Sequence, residues 1–364
     1  MKFALHFIHN RYLSVMEKLD FTESNMSHLI THFVGNKAKG QTLEISKGMT
    51  EYAVEDAELV QKFFFEGMKL EEYFTFSHKE SLDLHPVMNC VQSIFTDQSQ
   101  FVEQSENLAR LLYDASVHPK IIDGELSICY ISNIRIDTQY VNALGLFKSE
   151  SLGTFFKYDH QGSHYKMTPD YGYDIGKLDK GCLIFEVNEA EGYDVIICDR
   201  KAGSEEAVFW KETFLGLKPI ENNYYQTKVA MEMTKSFVDS SVPDDMNISL
   251  ADQIAMLNKT NDYFKKNDQF ERGSFEEAVF GNEDVAAGFQ AYEERLGQAQ
   301  NLQFPANFEI SKPAVKKNSK IFKSILKLDK NFSIYIHGDR DRAERGEDEK
   351  GRFYKFYYDA ERYD

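Results

Sequence analysis

The sequence is poor in the features that mark secreted and membrane-spanning proteins. Its four cysteines, Cys90, Cys129, Cys182 and Cys198, lie far apart among apolar neighbours and form no CxxC pair. No apolar run approaches the length that crosses a bilayer, and no small-residue cleavage site follows the N-terminal segment. We therefore expect a cytoplasmic protein with reduced, buried thiols and no contact with a membrane.

Recognised catalytic and metal-binding motifs are also lacking. The closest histidine pairs have no nearby cysteine or third ligand, and HLITH (28–32) lacks the glutamate that follows the first histidine in metalloproteases. The sequence contains no P-loop, no GxSxG, no GxGxxG after a strand and no kinase signature. It thus predicts no metal, no cofactor and no catalytic residue.

One group of charged residues keeps an enzymatic alternative open. The segment LIFEVNEAEGYDVIICDRK (183–201) places Glu186, Asp194, Asp199 and Lys201 on two predicted adjacent strands. Carboxylates beside a lysine are the kind of site that holds a divalent cation in metal-dependent nucleases. Acids at strand ends are also common on an acidic surface, where they serve turns and helix caps, and we favour that interpretation.

The hydrophobic pattern predicts an α+β fold in which a mostly antiparallel sheet is flanked by helices. With 364 residues, the chain is long enough for two domains. The hydrophobic fraction of 42% excludes a chain that is disordered throughout. Apolar residues recur at helical spacing over 54–76 and 97–116. Over about 120–200 they recur at every second position instead, which indicates a sheet. The predicted strands are 125–132, 139–148, 152–158, 181–188 and 193–200, and the helical segments 205–216 and 223–240 are expected to cover one face.

A polar, proline-bearing segment, SSVPDDMN (240–247), predicts the boundary between two domains. The N-terminal α+β domain would comprise residues 1–240, with helices in 54–116, the sheet in 120–200 and helices in 205–240. The C-terminal domain would comprise 248–364, with a helical segment, a basic segment and a C-terminal β-hairpin. In that hairpin we expect 331–338 to pair with 351–359 across a charged connection, 339–350.

The basic segment KPAVKKNSKIFKSILKLDK (312–330) stands out because the chain carries a net charge of −17. Its seven lysines against Asp329 give it +6, which leaves −23 for the remainder. As one helix it would place Lys316, Lys320, Lys323 and Lys327 on a single stripe, away from its apolar residues. Such a lysine row is either a solvated face or a phosphate-binding edge.

Several segments together point to a family. They include HPKIIDGELSICYI (118–131), LDKGCLIFEVN (178–188) and IFKSILKLDKNFSIYIHG (321–338). In their order along the chain, from about residue 50 to 358, the sequence resembles the bacterial nucleoid-associated protein family of the NdpA type. The resemblance implies a cytoplasmic, nucleoid-located, non-enzymatic protein that binds DNA.

The expected partner is therefore double-stranded DNA, with other nucleoid proteins and a homo-oligomer as further candidates. Binding through lysine would be sequence-tolerant, since lysine contacts phosphate rather than base edges. An isoelectric point near 5.1 keeps a second hypothesis open, an acidic interaction module that docks on a nucleoid enzyme. The candidate DNA-binding residues are Lys316, Lys317, Lys320, Lys323, Lys327, Lys330, Arg340, Arg342 and Arg345.

Overall fold

The structure is a computed structural model. It describes residues 19–360 except 69, 71, 200–207, 241–247, 249, 301–304, 323–324, 329–331 and 336–342. This part of the chain divides into two compact units between Ile220 and Glu221.

The first unit is built on one antiparallel sheet. Its described strands are β1 (Leu19–Asp20), β2 (Asn25–Val34), β3 (Leu43–Glu44), β4 (Tyr73–Phe76), β5 (Gly124–Ile136), β6 (Gln139–Ser149), β7 (Gly153–Gln161), β8 (His164–Gly172), β9 (Lys180–Phe185), β10 (Asp194–Asp199) and β11 (Leu217–Pro219). Among these residues the sheet runs in the order β11-β4-β10-β9-β6-β5-β2-β3, with β1 beside β5. Among the described strands, β7 and β8 pair only with each other and form a separate hairpin.

Helices cover both faces of the sheet. They are α1 (Ala57–Phe65), α2 (Pro86–Thr96) and α3 (Phe101–Ala115), with a π-helical turn at Phe209–Phe214. One face packs with α2, α3 and this turn around Ile128, whereas the other packs with α1 around Cys129. Because alternate residues of a strand point to opposite faces, central strands covered on both sides are apolar throughout. Strand β9 illustrates this from Gly181 to Phe185, all of which are buried together with the charged residue that begins the strand, Lys180.

The predicted fold class is confirmed, an α+β fold with a mostly antiparallel sheet flanked by helices. Three local predictions were wrong. The helix expected over 54–76 ends at Phe65, and Tyr73–Phe76 forms strand β4 instead. The first third also contains the long strand β2, which was not predicted. The strand expected at 152–158 exists as β7 but lies outside the main sheet, because it pairs with β8.

The second unit has its own helical core. Its described helices are α4 (Asn223–Ser240), α5 (Leu250–Lys266), α6 (Arg272–Val279), α7 (Glu283–Gln300) and α8 (Lys312–Asn318). Its described strands are β12 (Gln269–Glu271), β13 (Asn307–Glu309), β14 (Ile325–Leu328), β15 (Phe332–Tyr335), β16 (Ala343–Asp348) and β17 (Gly351–Phe356). Aromatic side chains dominate this core, with Phe237, Phe264 and Phe275 each almost fully buried. No helix of the described chain is long and apolar enough to cross a membrane.

Two predictions about the second half differ from the structure. Helix α4 was expected to cover the sheet; it packs with α5, α7 and α8 in the second core. The compact units accordingly divide at 220/221, whereas the sequence predicted 240–248; residues 241–247 lie outside the described residues. A C-terminal β-hairpin is present, but β15 pairs with β14 rather than with 351–359. Strand β17 pairs with β16, which lies inside the segment expected to be a connection.

Candidate nucleic-acid interface

The basic segment begins with a short helix that is fixed at its N-terminus. Ser311 is the N-cap of α8, where its hydroxyl accepts from the amide of Ala314, and Pro313 lies in the first turn, where its missing N–H costs nothing. The amide of Ser311 donates to Thr227 Oγ1 on α4 at 3.0 Å. Ala314 and Val315 are buried against the second core. The start of the segment is thus held by hydrogen bonds and by packing.

The helix ends within two turns and leaves its lysines outside. After Asn318 the chain makes a single 3-10 turn, Ser319–Phe322, which buries Phe322 in the same core. The side chain of Ser319 donates to the carbonyl of Val315 at 2.7 Å and satisfies one of the last helical acceptors. Lys316, Lys317 and Lys320 are exposed. Apolar anchors and outward lysines therefore alternate over seven residues.

The predicted four-lysine stripe on one helix is wrong. Because α8 stops at Asn318, Lys320 lies in the 3-10 turn, and Lys327 lies in strand β14. The physical reason is a strand pairing: Ile325–Leu328 pairs with Phe332–Tyr335, so this part of the segment is extended rather than helical. Lys323, the fourth residue of the stripe, lies outside the described residues.

The remaining predicted contacts are placed only in part. Arg345 lies in β16, opposite Tyr354 of β17, and Lys327 lies opposite Ser333 of β15. The structure gives a backbone position for these two residues. Lys330, Arg340 and Arg342 lie outside the described residues. Of the nine candidates, Lys316, Lys317 and Lys320 are those that the structure brings together on one segment.

Lys265 and Lys266, which were not among the predicted contacts, lie beside this segment. Lys312 Nζ donates to the carbonyl of Lys265, at the C-terminal end of α5, at 3.3 Å and pairs with Asp268 at 2.9 Å. Both Lys265 and the following Lys266 are exposed. Their signal in the sequence was a lysine pair in the last turn of a predicted helix, where cations interact favourably with the helix dipole. We call the following set the lysine surface: Lys265, Lys266, Lys312, Lys316, Lys317 and Lys320.

The lysine surface contains few acids in the sequence around α8. Between residues 305 and 322 there are four lysines and one acid, Glu309. The carboxylate of Glu309 accepts from Asn223 Nδ2 at 3.3 Å. Lys317 Nζ lies 6.0 Å from the centre of the Tyr224 ring, a distance at which the ring attracts the cation. The arrangement presents several ammonium groups from one anchored segment, which suits contact with consecutive phosphates.

The carboxylates considered as a nuclease site do not converge. Asp194 lies opposite Phe185 at one end of the β9–β10 pair, whereas Asp199 lies opposite Lys180 at the other end. Five residues of extended strand separate them by about 17 Å. Glu186 accepts from Asn142 Nδ2 at 2.9 Å, and Asp194 accepts from Asn188 Nδ2 at 2.9 Å. The structure therefore does not bring Asp194 and Asp199 together as one metal site, which agrees with the favoured interpretation of these acids; Lys201 lies outside the described residues.

Comparison with known proteins bears on the whole chain. The sequence model of the family described as nucleoid-associated protein YejK matches residues 30–362, which is most of the sequence. A search of curated proteins finds no match. Among the residues that the structure describes, no group of three or more histidine, cysteine, aspartate or glutamate side chains is placed to hold a metal ion.

Proposed function

Because this chain belongs to the nucleoid-associated protein YejK family, we propose that it binds double-stranded DNA as a non-enzymatic protein of the bacterial nucleoid. The observation that supports this function is the lysine surface of the second unit. It combines an anchored backbone with outward ammonium groups. The proposed principal contacts are Lys316, Lys317 and Lys320. The neighbouring Lys265 extends the same charge, whereas Lys266 is paired with Asp262 at 2.9 Å.

The chemistry of the surface supports sequence-tolerant binding. An ammonium group is a compact point charge that contacts phosphate oxygens and carries no pattern of donors that would distinguish bases. The lysines project from a helix of only seven residues and the turn that follows it. We therefore expect binding to the DNA backbone, with an affinity that depends strongly on salt and weakly on sequence.

The net charge of −17 is compatible with DNA binding at the lysine surface. At physiological ionic strength charges are screened over a distance of about 8 Å. A duplex at α8 therefore experiences mainly the nearby groups. Between residues 312 and 322 these are four lysines and no acid, and Asp268 from outside this range pairs with one of them, Lys312. More distant carboxylates weaken the attraction but do not cancel it.

A salt titration of the full-length protein with random-sequence duplex DNA tests the proposal. If Lys316, Lys317 and Lys320 each neutralise one phosphate, log K falls against log salt with a slope of about −2.7, from about −0.9 per contact. Replacing these three residues by glutamine should flatten the slope by that amount and weaken binding to every duplex alike. The fold should be retained, because the three side chains are exposed.

A charge-matched control separates a local surface from net charge. Lys62→Gln, Lys79→Gln and Lys177→Gln together remove the same charge from exposed positions of the first unit. This control should keep the parent slope. If the lysine-surface variant binds as tightly as the parent at equal salt, the proposal is wrong and an acidic module that docks on a nucleoid protein becomes the better account.

A further inference from the structure

The β7–β8 hairpin is an arm that extends from the first unit. It occupies residues 153–172, between β6 and β9, and pairs nine residues of one strand with nine of the other. Its tip is the two-residue turn Gly162–Ser163, where Gly162 has a φ of +66°, which glycine adopts without strain. Every residue of β7 is exposed, and no residue of β8 is buried. Within the described chain, neither face of the arm is covered.

The two faces of the arm differ in chemistry. Directly opposed residues of antiparallel strands share a face, so the register assigns each side chain to a side. One side is mostly polar and charged, with Phe155 as its one aromatic residue, and there Lys157 forms an ion pair with Asp170. We call the other side the aromatic face; its residues are Thr154, Phe156, Tyr158, His160, Tyr165, Met167, Pro169 and Tyr171.

The aromatic face is too apolar to be an ordinary exposed surface. Tyr158 and Tyr165 are each 67% exposed, Tyr171 is 63% exposed and Phe156 is 57% exposed. Contiguous exposed patches of this kind mark interaction sites. A two-stranded hairpin is also only marginally stable in water unless a third element packs against it. Both considerations call for a partner on this face.

The base of the arm is fixed to the sheet by buried polar groups. Asp179, just before β9, accepts hydrogen bonds from the amides of Glu150 and Ser151, just after β6, at 2.7 and 2.9 Å. Glu150 itself lies between Lys148 and Lys180 in the interior. Both strands of the arm therefore leave the sheet from a defined base, which lowers the entropy lost when the arm binds.

We propose that the aromatic face binds the same face of a second copy of this chain, forming a two-fold symmetric dimer. A fully buried aromatic side chain contributes about 150–250 Å², so the four aromatic residues offer roughly 500 Å² at their exposures. Met167, Pro169 and His160 bring this close to the roughly 800 Å² per partner of a stable interface. A two-fold contact uses one patch twice, so the face needs no second surface.

Charge favours a second copy over DNA as the occupant. The arm carries two lysines and two aspartates, so its net charge is zero, although the chain as a whole carries −17. Two such acidic chains approach each other with least repulsion where both are neutral. A neutral face offers nothing to the phosphates that dominate the affinity of proteins for DNA.

Sedimentation of the full-length protein over a wide range of concentration tests the dimer. The parent should reach twice the monomer mass of 42.1 kDa. The variant F156T/Y158T/Y171T should remain monomeric, because it removes most of the aromatic area while threonine keeps the preference for a strand. The control Phe155→Thr, on the opposite side of the same strand, should dimerise like the parent. A monomeric parent, or a triple variant that still dimerises, would overturn the proposal.

Cross-linking tests the geometry independently of affinity. Met167 lies opposite Tyr158 near the middle of the face, so a two-fold contact brings it close to its own counterpart. Met167→Cys should form an intermolecular disulfide under mild oxidation, whereas Thr168→Cys on the other side should not. Equal cross-linking at both positions would contradict face-to-face packing. If the triple variant loses DNA binding while parent and variant sediment alike, the face contacts DNA and the dimer is wrong.

Discussion

Lys148 Nζ donates a hydrogen bond to Glu150 Oε1 at 3.0 Å, between side chains that are 0% and 1% exposed. The other carboxylate oxygen of Glu150 accepts from Lys180, whose side chain is 2% exposed. Burial lowers the pKa of Lys148 below its usual range, and the nearby glutamate opposes that effect. One carboxylate thus compensates two ammonium groups inside the first unit, which makes it difficult to replace.

We predict that Glu150→Gln destabilises the protein by roughly 3–5 kcal/mol, because removal of one partner leaves buried charge uncompensated. Denaturant unfolding followed by far-UV circular dichroism measures the loss. Asp114→Asn is the matched control, since Asp114 pairs with Lys37 between exposed side chains and such pairs contribute little. A loss for Glu150→Gln no larger than that of the control would show that the buried cluster is dispensable.

Stability should fall with acid as His32 becomes protonated. His32 is fully buried; Ser46 donates its amide to Nδ1 at 3.1 Å, and Nε2 lies 3.1 Å from the hydroxyl of Ser105. Burial lowers the pKa of His32 to about 4 from 6.5, although the charge of Glu106 acts in the opposite direction. The unfolded chain therefore takes up this proton first. The contribution of neutral His32 to the stability of the folded state is complete above pH 6.5, and it is lost as the pH falls towards 4.

Comparison of His32→Gln with the parent isolates this proton. Over that interval, the free energy of unfolding of the parent should fall by roughly 1–2 kcal/mol more than that of the variant. This figure allows for screening of the charge by solvent. Thermal unfolding at a series of pH values provides the curves. His164→Gln, at an exposed position of the arm, should reproduce the parent curve. Parallel curves for parent and His32→Gln would contradict the prediction.

The separated carboxylates should matter for stability rather than for catalysis. We expect Asp199→Ala and Glu186→Ala each to cost about 1 kcal/mol, since each removes a polar side chain near a strand end, and that of Glu186 accepts a hydrogen bond from Asn142. Incubation of supercoiled DNA with the parent and magnesium should give no nicking. Glu55→Ala, at an exposed position before α1, serves as the control for stability. Magnesium-dependent nicking that both variants lose while remaining folded would establish the nuclease instead.

A nick in the segment 241–247 should leave the two fragments associated. Helix α4, just before this segment, places Phe237 against Phe289 and Phe280, with ring centres 5.3 and 5.8 Å apart. These contacts lie within the second core and tie the end of the first fragment to the second fragment. Limited proteolysis followed by native gel filtration should show co-elution, with separation only in denaturant. Fragments that separate in native buffer would favour the boundary predicted at 240–248.

The sequence predicted what depends on local periodicity. Long elements with a clear period, such as α3 and the pair β5–β6, were identified with ends only a few residues away. The four-residue strand β4 was not, because its apolar residues continue those of α1 and short apolar runs fit either period. The pairing of β15 with β14 was missed for another reason, since alternation identifies a strand but does not name its neighbour.

In the candidate site, too, the sequence predicted some features and missed those that depend on tertiary packing. Composition was enough to select Lys316, Lys317 and Lys320, because lysine is almost never fully buried without a partner. It was not enough to predict where α8 ends or that the end of α5 brings Lys265 beside Lys312, since both depend on tertiary packing. Burial of Lys148 and Lys180 was likewise not predicted, because composition does not distinguish the glutamate that they share, Glu150, from surface acids.

The place of β4 in the sheet has a consequence for the newly made chain. Its neighbours β10 and β11 follow it by about 120 and 140 residues, and pairings across such separations form slowly. At a ribosomal rate of roughly 5–20 residues per second, about seven to thirty seconds pass between the synthesis of Phe76 and that of Pro219. The arm is synthesised within that interval. Its aromatic side chains therefore leave the ribosome before the sheet is complete, so the nascent chain exposes during that interval the kind of apolar surface that favours aggregation.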